Sequence, residues 1–87
     1  MTLTLYSVRD KLVGFTGPIA MKDDKVAVRW FEAFCEQKKR QEFTEAKYFE
    51  LYKIGTFNTE NAEINPLPFT ELIREGEQID GKMSVQE

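Results

Sequence analysis

The first twenty residues show the alternation of apolar and polar positions that is typical of paired strands. Residues 2–9 are rich in Leu, Tyr, Val and Thr, which favour extended structure. Extended character resumes over residues 12–15, so Arg9-Asp10-Lys11 is predicted to form a hairpin turn. Gly17-Pro18 then ends the second strand. The pattern predicts an N-terminal β-hairpin.

The next segment changes to a helical period. Apolar residues recur every three or four positions between residues 24 and 40, and Asp23 or Asp24 is suited to cap the helix. The apolar arc spans roughly 220°, whereas packing on one sheet needs only about 100°. Short helices elsewhere or a symmetric partner could cover the excess. We expect a homodimer whose interface includes Trp30 and Phe34.

The second half of the chain predicts another pair of strands. Thr44 is a suitable cap for a helix of one or two turns. Residues 49–57 then form a long run of strand-favouring residues, and a turn follows at residues 58–61. A short return strand begins at residues 62–64, and Pro66 is expected to stop it.

The C-terminal part predicts a short helix and a tail. Residues 68–76 have a helical pattern that ends at Gly76. Residues 77–87 lack periodicity and are expected to be a flexible tail, which leaves residues 1–76 as one domain. The predicted fold class is α+β: an antiparallel sheet of about four strands in ββαββ order, packed on one main helix, with short extra helices.

The charge of the chain is acidic overall but unevenly distributed. The 87 residues carry a net charge of −3, with a pI near 5.0. Residues 1–40 hold eight Lys and Arg against five Asp and Glu, and residues 41–87 hold four against ten. The total charge therefore gives no reason to bind phosphate backbones, although the first half could still present one basic face.

The residue types that carry common chemistries are scarce. The chain has no histidine, and its one cysteine, Cys35, lies in the apolar arc of the predicted helix. Histidine-dependent nucleophilic catalysis and most zinc sites are therefore excluded, and no glycine-rich phosphate loop is present. We expect a protein that is not an enzyme and needs no cofactor or metal. The sequence shows no signal peptide and no membrane-spanning run, which favours the cytoplasm.

Single-stranded nucleic acid is a possible ligand, because its binding needs exposed aromatic side chains beside basic ones. The helix aromatics lie on the apolar arc, so the strands are better candidates. The alternative is that both faces of the sheet are buried, one by the helix and the other by a second subunit. The candidate nucleic-acid-binding residues are Tyr6, Arg9, Lys11, Phe15, Lys22, Tyr52 and Lys53.

Several segments resemble a known family. The stretches LYSVRDKLVGFTGPI, DDKVAVRWF and FELYKIGTFNTENAEINPL are similar to the small nonstructural protein of gokushovirus-type microviruses, which are single-stranded DNA phages. One departure is the turn at residues 58–61, which has no glycine where the family has one. The positions that carry the resemblance are Tyr6, Val8, Asp10, Phe15, Pro18, Ala27, Arg29, Phe31, Leu51, Tyr52, Gly55 and Phe57.

The resemblance implies a role in phage DNA metabolism. Proteins of this kind are made in the infected bacterial cell, are absent from the virion, and are likened to a factor that shifts genome synthesis toward single strands and packaging. The expected function is that of an accessory protein in genome replication or packaging that binds single-stranded DNA as a homodimer. The alternative is an adaptor that engages a phage or host replication protein through the acidic second half.

Overall fold

A computed structural model describes residues 1–79 and confirms the α+β fold class. Five antiparallel strands form one sheet, and one long helix packs against it. The elements are β1 (Thr2–Asp10), β2 (Gly14–Phe15), β3 (Ile19–Met21), α1 (Asp24–Glu42), a 3₁₀ helix (Ala46–Tyr48), β4 (Phe49–Asn58) and β5 (Ile64–Glu75).

The sheet is organised around β1 and β4. These two strands pair antiparallel along their whole lengths, and β5 pairs with the outer edge of β4. The other edge of β1 is shared, because β2 pairs with its end and β3 with its middle. The order is therefore β2-β1-β4-β5, with β3 beside β2 on the same edge of β1.

The core lies between α1 and one face of the sheet. Ala27, Phe31 and Cys35 recur at four-residue spacing and are all buried, so they form the side of α1 that contacts the sheet. Tyr6 and Leu51 meet them from β1 and β4 and are fully buried. Apolar burial of this kind is the main favourable term in folding.

Both ends of α1 are capped. The side chain of Asp23 accepts a hydrogen bond from the backbone nitrogen of Val26 at 3.0 Å, as predicted for an N-cap. At the other end Phe43 takes a left-handed conformation with φ 54°, and the backbone nitrogens of Phe43 and Thr44 both donate to the carbonyl of Lys38. This arrangement normally uses glycine, yet here it holds a phenylalanine that is 89% exposed.

The predictions for the C-terminal third are partly wrong. Residues 68–76 were expected to form a helix after a strand stopped by Pro66, but β5 runs without interruption from Ile64 to Glu75. Prolines are tolerated because β5 is an edge strand, and residues 67–70 bulge away from β4 between the pairs Lys53–Glu71 and Gly55–Pro66. The glycine-free turn before β5 places Ala62 at φ 64°. The strand β3 was not predicted.

A short helical segment follows β5. Residues 76–79 are helical, and Ile79 is buried with the core. Gly76 lies against the backbone of Ala46, where a side chain would not fit. The predicted tail covers residues 77–87, of which residues 80–87 lie outside the described part of the chain. The domain boundary at residue 76 stays a prediction.

The strained end of α1 leads to a test of stability. Phe43 has a left-handed conformation, which costs an L-residue about 1–2 kcal/mol, and glycine adopts it without this cost. Because the Phe43 ring is exposed, its removal in Phe43→Gly loses little burial. Because glycine is more flexible in the unfolded chain, we expect a net gain of about 0.5–1 kcal/mol in the free energy of unfolding. Urea unfolding followed by Trp30 fluorescence measures it. A loss of stability would show that the Phe43 ring contributes to packing.

Candidate nucleic-acid interface

The strand register assigns each candidate residue to one of two sheet faces. Directly opposed residues of antiparallel strands share a face. Tyr6 pairs with Lys53 and lies on the face that α1 covers. Ser7 pairs with Tyr52, and Arg9 pairs with both Phe15 and Glu50, on the other face. We call the face that α1 does not cover the open face.

Two aromatic rings meet on the open face. The Phe15 and Tyr52 ring centroids are 5.3 Å apart with their planes at 66°, an edge-to-face contact. Phe15 is 53% exposed, and Tyr52 is partly exposed. Leu72 of β5 lies opposite Tyr52 and is also exposed, so it extends the apolar surface toward the sheet edge. This arrangement offers ring faces and edges to a flat ligand such as a base.

The Glu50 carboxylate binds the polar groups of both Arg9 and Tyr52. Arg9 Nη1 donates to Glu50 Oε1 at 2.8 Å, and the Tyr52 hydroxyl donates to the same oxygen at 3.5 Å. Glu50 is buried, whereas the Arg9 side chain remains 41% exposed. The hydrogen bond to Glu50 raises the pKa of Arg9. Arg9 is thus held beside the aromatic pair, but part of its charge is neutralised.

A further candidate is Lys11, in the turn between β1 and β2. Its backbone nitrogen donates to the carbonyl of Tyr48 at 2.9 Å, and the turn is fixed further by Asp10, whose carboxylate accepts from the backbone nitrogen of Leu12. The Lys11 side chain is exposed and has no ion-pair partner within residues 1–79. Its charge is therefore available to a ligand.

Three other candidates lie elsewhere. Tyr6 was expected to be exposed for stacking, and this is wrong, because the side chain is completely buried under α1. Lys53 is on the same face and its ammonium nitrogen is 3.2 Å from Asp24 Oδ2. Lys22 is exposed at a shallow groove that Lys53 and Asp24 also line. The structure thus separates these residues from the Phe15–Tyr52 pair.

The buried tyrosine belongs to a polar contact between sheet and helix. The Tyr6 hydroxyl donates to Asp24 Oδ1 at 2.6 Å, in the first turn of α1. This hydrogen bond, together with the Lys53 ammonium, lowers the pKa of Asp24. Burial and the same hydrogen bond raise the pKa of the Tyr6 hydroxyl. Both shifts favour the charge states present near neutral pH, so the contact is stable there.

The predicted dimer residues Trp30 and Phe34 are both half-buried and pack against the core of their own chain. Their rings stack with centroids 5.4 Å apart, and Phe34 also meets Phe49 edge-to-face at 5.2 Å. Part of the wide apolar arc is therefore covered within the chain. A role of these residues in a dimer stays a prediction.

Sequence reasoning did not identify Glu50 or Leu72 as parts of the candidate site. Glu50 precedes Tyr52 by two residues on β4, so both side chains lie on one face of the strand. That spacing was the available signal for Glu50. Leu72 could not be placed, because its segment was predicted to be helical. No group of three or more histidine, cysteine or carboxylate side chains suited to hold a metal occurs within residues 1–79. In the same range, no helix is sufficiently long and apolar to cross a bilayer.

The Tyr6–Asp24 contact can be tested through the pH dependence of stability. Because the folded pKa of Asp24 lies below its unfolded value, the contribution is present above about pH 4 and is lost as pH falls through the folded pKa. We expect Asp24→Asn to lower the free energy of unfolding by about 1 kcal/mol at pH 7. The deficit should shrink toward pH 3.

A matched control for this prediction is Asp23→Asn, which keeps a side chain able to cap the helix at Val26. Urea unfolding of both variants and the parent chain at several pH values makes the comparison. A deficit for Asp24→Asn that does not change with pH would contradict the role given to its charge.

Comparison with known proteins identifies a family. Residues 3–79 match the family model described as phage ORF5 protein, so the match extends from β1 to the buried Ile79 and includes Arg9, Phe15, Glu50, Tyr52 and Leu72. No curated protein and no solved structure matches the chain. Because the family model covers most of the sequence, the chain belongs to the phage ORF5 protein family.

Proposed function

We propose that this phage protein is a non-enzymatic accessory factor that binds single-stranded DNA as a homodimer during genome replication or packaging. The resemblance to the nonstructural proteins of gokushovirus-type microviruses supports this assignment, and the site of action is then the cytoplasm of the infected bacterium. The observation that carries the proposal is the partly exposed Phe15–Tyr52 pair on the open face of the sheet.

The aromatic pair fits single strands better than duplex DNA. Bases of a single strand are free to stack on side-chain rings, and such stacking contributes about 1–3 kcal/mol per base. Phe15 lies on the edge strand β2 and Tyr52 on the central strand β4, so the rings are presented by ordered strands. Leu72 provides an apolar contact next to Tyr52.

The charges near the pair are suited to weak, salt-sensitive contacts with phosphates. Arg9 and Lys11 flank Phe15 along the β1–β2 hairpin, and the ion pair with Glu50 reduces the charge that Arg9 offers. The site therefore contains about two basic contacts per subunit, which predicts modest affinity for one subunit. Two subunits on one strand would raise the apparent affinity through their high effective concentration.

The aromatic pair leads to the first test of DNA binding. We expect Phe15→Ala and Tyr52→Leu each to weaken binding of a labelled single-stranded oligonucleotide by about tenfold, because each removes a stacking surface. Fluorescence anisotropy at low salt measures the dissociation constants. The control is Phe43→Gly, which removes an exposed ring at the end of α1. Equal loss for all three variants, or no binding by the parent chain at micromolar concentration, would contradict the proposal.

The basic turn leads to a second test. Replacing Lys11 with glutamine removes one exposed charge and leaves its backbone hydrogen bond to Tyr48 in place. If Lys11 contacts a phosphate, the slope of log K against log salt concentration should become less steep by about 0.7 for single-stranded DNA. The control is Lys39→Gln, at an exposed position on α1. An unchanged slope would exclude Lys11 from the contact.

A second candidate function is an adaptor that engages a phage or host replication protein without binding DNA. The observation that favours it is the apolar surface of the edge strand β5, where Phe69 is 86% exposed in the bulge and Ile64 is also exposed. The oligonucleotide titration separates the two candidates. Absence of DNA binding by a folded parent chain would favour the adaptor.

A further inference from the structure

The outer flank of α1 carries a pattern that is complementary to itself. Val26, Trp30, Ala33 and Gln37 are spaced four, three and four residues apart, so they form one stripe along the helix. Val26 is 44% exposed, Ala33 and Gln37 are exposed, and Trp30 is partly exposed. The buried side of α1 is formed instead by Ala27, Phe31 and Cys35. The stripe therefore faces away from the centre of the core.

Two opposite charges border this stripe. Arg29 and Glu36 are seven residues apart, so they lie on one line of the helix surface, about 10 Å apart along its axis. Both are exposed, and neither has an ion-pair partner in the part of the chain from residue 1 to 79. By contrast, Glu32 on the same helix is paired with Arg74 of β5.

We infer that a second copy of this chain docks on the stripe, with the two α1 helices antiparallel around a two-fold axis. An antiparallel two-fold axis brings the same flank of both helices together, so each subunit offers Arg29 to the partner's Glu36 in two identical ion pairs. The same axis places Trp30 over the small side chain of the partner's Ala33, and Val26 beside the partner's Gln37. The Trp30–Ala33 and Val26–Gln37 layers have their midpoint between residues 31 and 32. The charged side chains are then offset by about 3 Å along the helix, which their length spans.

Shape and charge thus specify one occupant and one orientation. A large ring against a small side chain lets the helices approach closely, and the reciprocal ion pairs favour the antiparallel direction over the parallel one. In a parallel arrangement the two-fold axis places this flank of one helix on the opposite side of the interface from the same flank of its partner, so the two ion pairs do not form. This interface deepens the proposed homodimer and uses Trp30, while Phe34 remains packed on Phe49.

Charge reversal tests the interface in a way that does not depend on knowing its affinity. Arg29→Glu places a carboxylate against the partner's Glu36, and Glu36→Arg places a guanidinium against the partner's Arg29. Each variant alone should raise the dimer dissociation constant by about tenfold or more, because like charges are placed opposite each other. An equimolar mixture of the two variants should restore dimers, since both pairs then have opposite signs.

Sedimentation velocity over a range of protein concentrations measures the dimer fraction for the parent chain, each variant and the mixture. Lys39→Glu is the matched control, because it reverses a charge on α1 outside the stripe and should leave the dimer unchanged. Circular dichroism of each variant alone checks that the exposed substitutions leave the fold intact.

Three results would overturn the interface: a parent chain that is monomeric at about 100 µM, a dimer that neither reversal weakens, or a mixture that fails to restore dimers. The oligonucleotide titration on the same proteins keeps this test apart from the proposed function. Restored dimers without DNA binding would support the interface and refute the DNA proposal. DNA binding by a strictly monomeric chain would refute the interface and support DNA binding.

Discussion

The side chain of Tyr6 on β1 contacts the first turn of α1 and so joins the helix to the sheet. The ring is completely buried among core residues, and its hydroxyl donates to Asp24 at 2.6 Å while Lys53 approaches the other carboxylate oxygen. A buried hydroxyl needs such a partner, because an unpaired one costs about 1–3 kcal/mol. The contact therefore fixes the start of α1 over the centre of the sheet.

The position of Tyr6 beneath the helix also determines which side chains lie on the open face of the sheet. Side chains alternate along a strand, so Ser7 and Arg9 must point away from α1, and the register brings Phe15, Glu50 and Tyr52 beside them. The shift in pairing between Leu5 and Tyr6 leaves Ile54 without a partner on β1, which sets this register for the second half of β1. The candidate DNA site is thus a consequence of core packing.

Sequence patterns predicted the elements whose local signals agree with their tertiary setting. The 24–40 helix, its Asp23 cap and the 49–57 strand are all present, with ends that differ by two residues or fewer. The predictions were wrong where strand pairing overrides the local conformational preference of the residues. Residues 68–75 have a helical pattern, but they belong to the edge strand β5, which pairs with β4. Tyr6 was misplaced because the sequence does not say which face of a strand a helix will cover, and Glu50 was missed for the same reason.

A nuclear magnetic resonance titration with a short single-stranded oligonucleotide shows whether the open face is the DNA-binding surface. If DNA binds there, we expect shifts for the backbone amides of Arg9, Phe15 and Tyr52, together with the aromatic protons of the last two. The indole proton of Trp30 and the amides around Ala33 should stay in place, because they lie on α1. Shifts confined to α1, or no shifts at all at millimolar oligonucleotide, would show that the open face does not bind DNA.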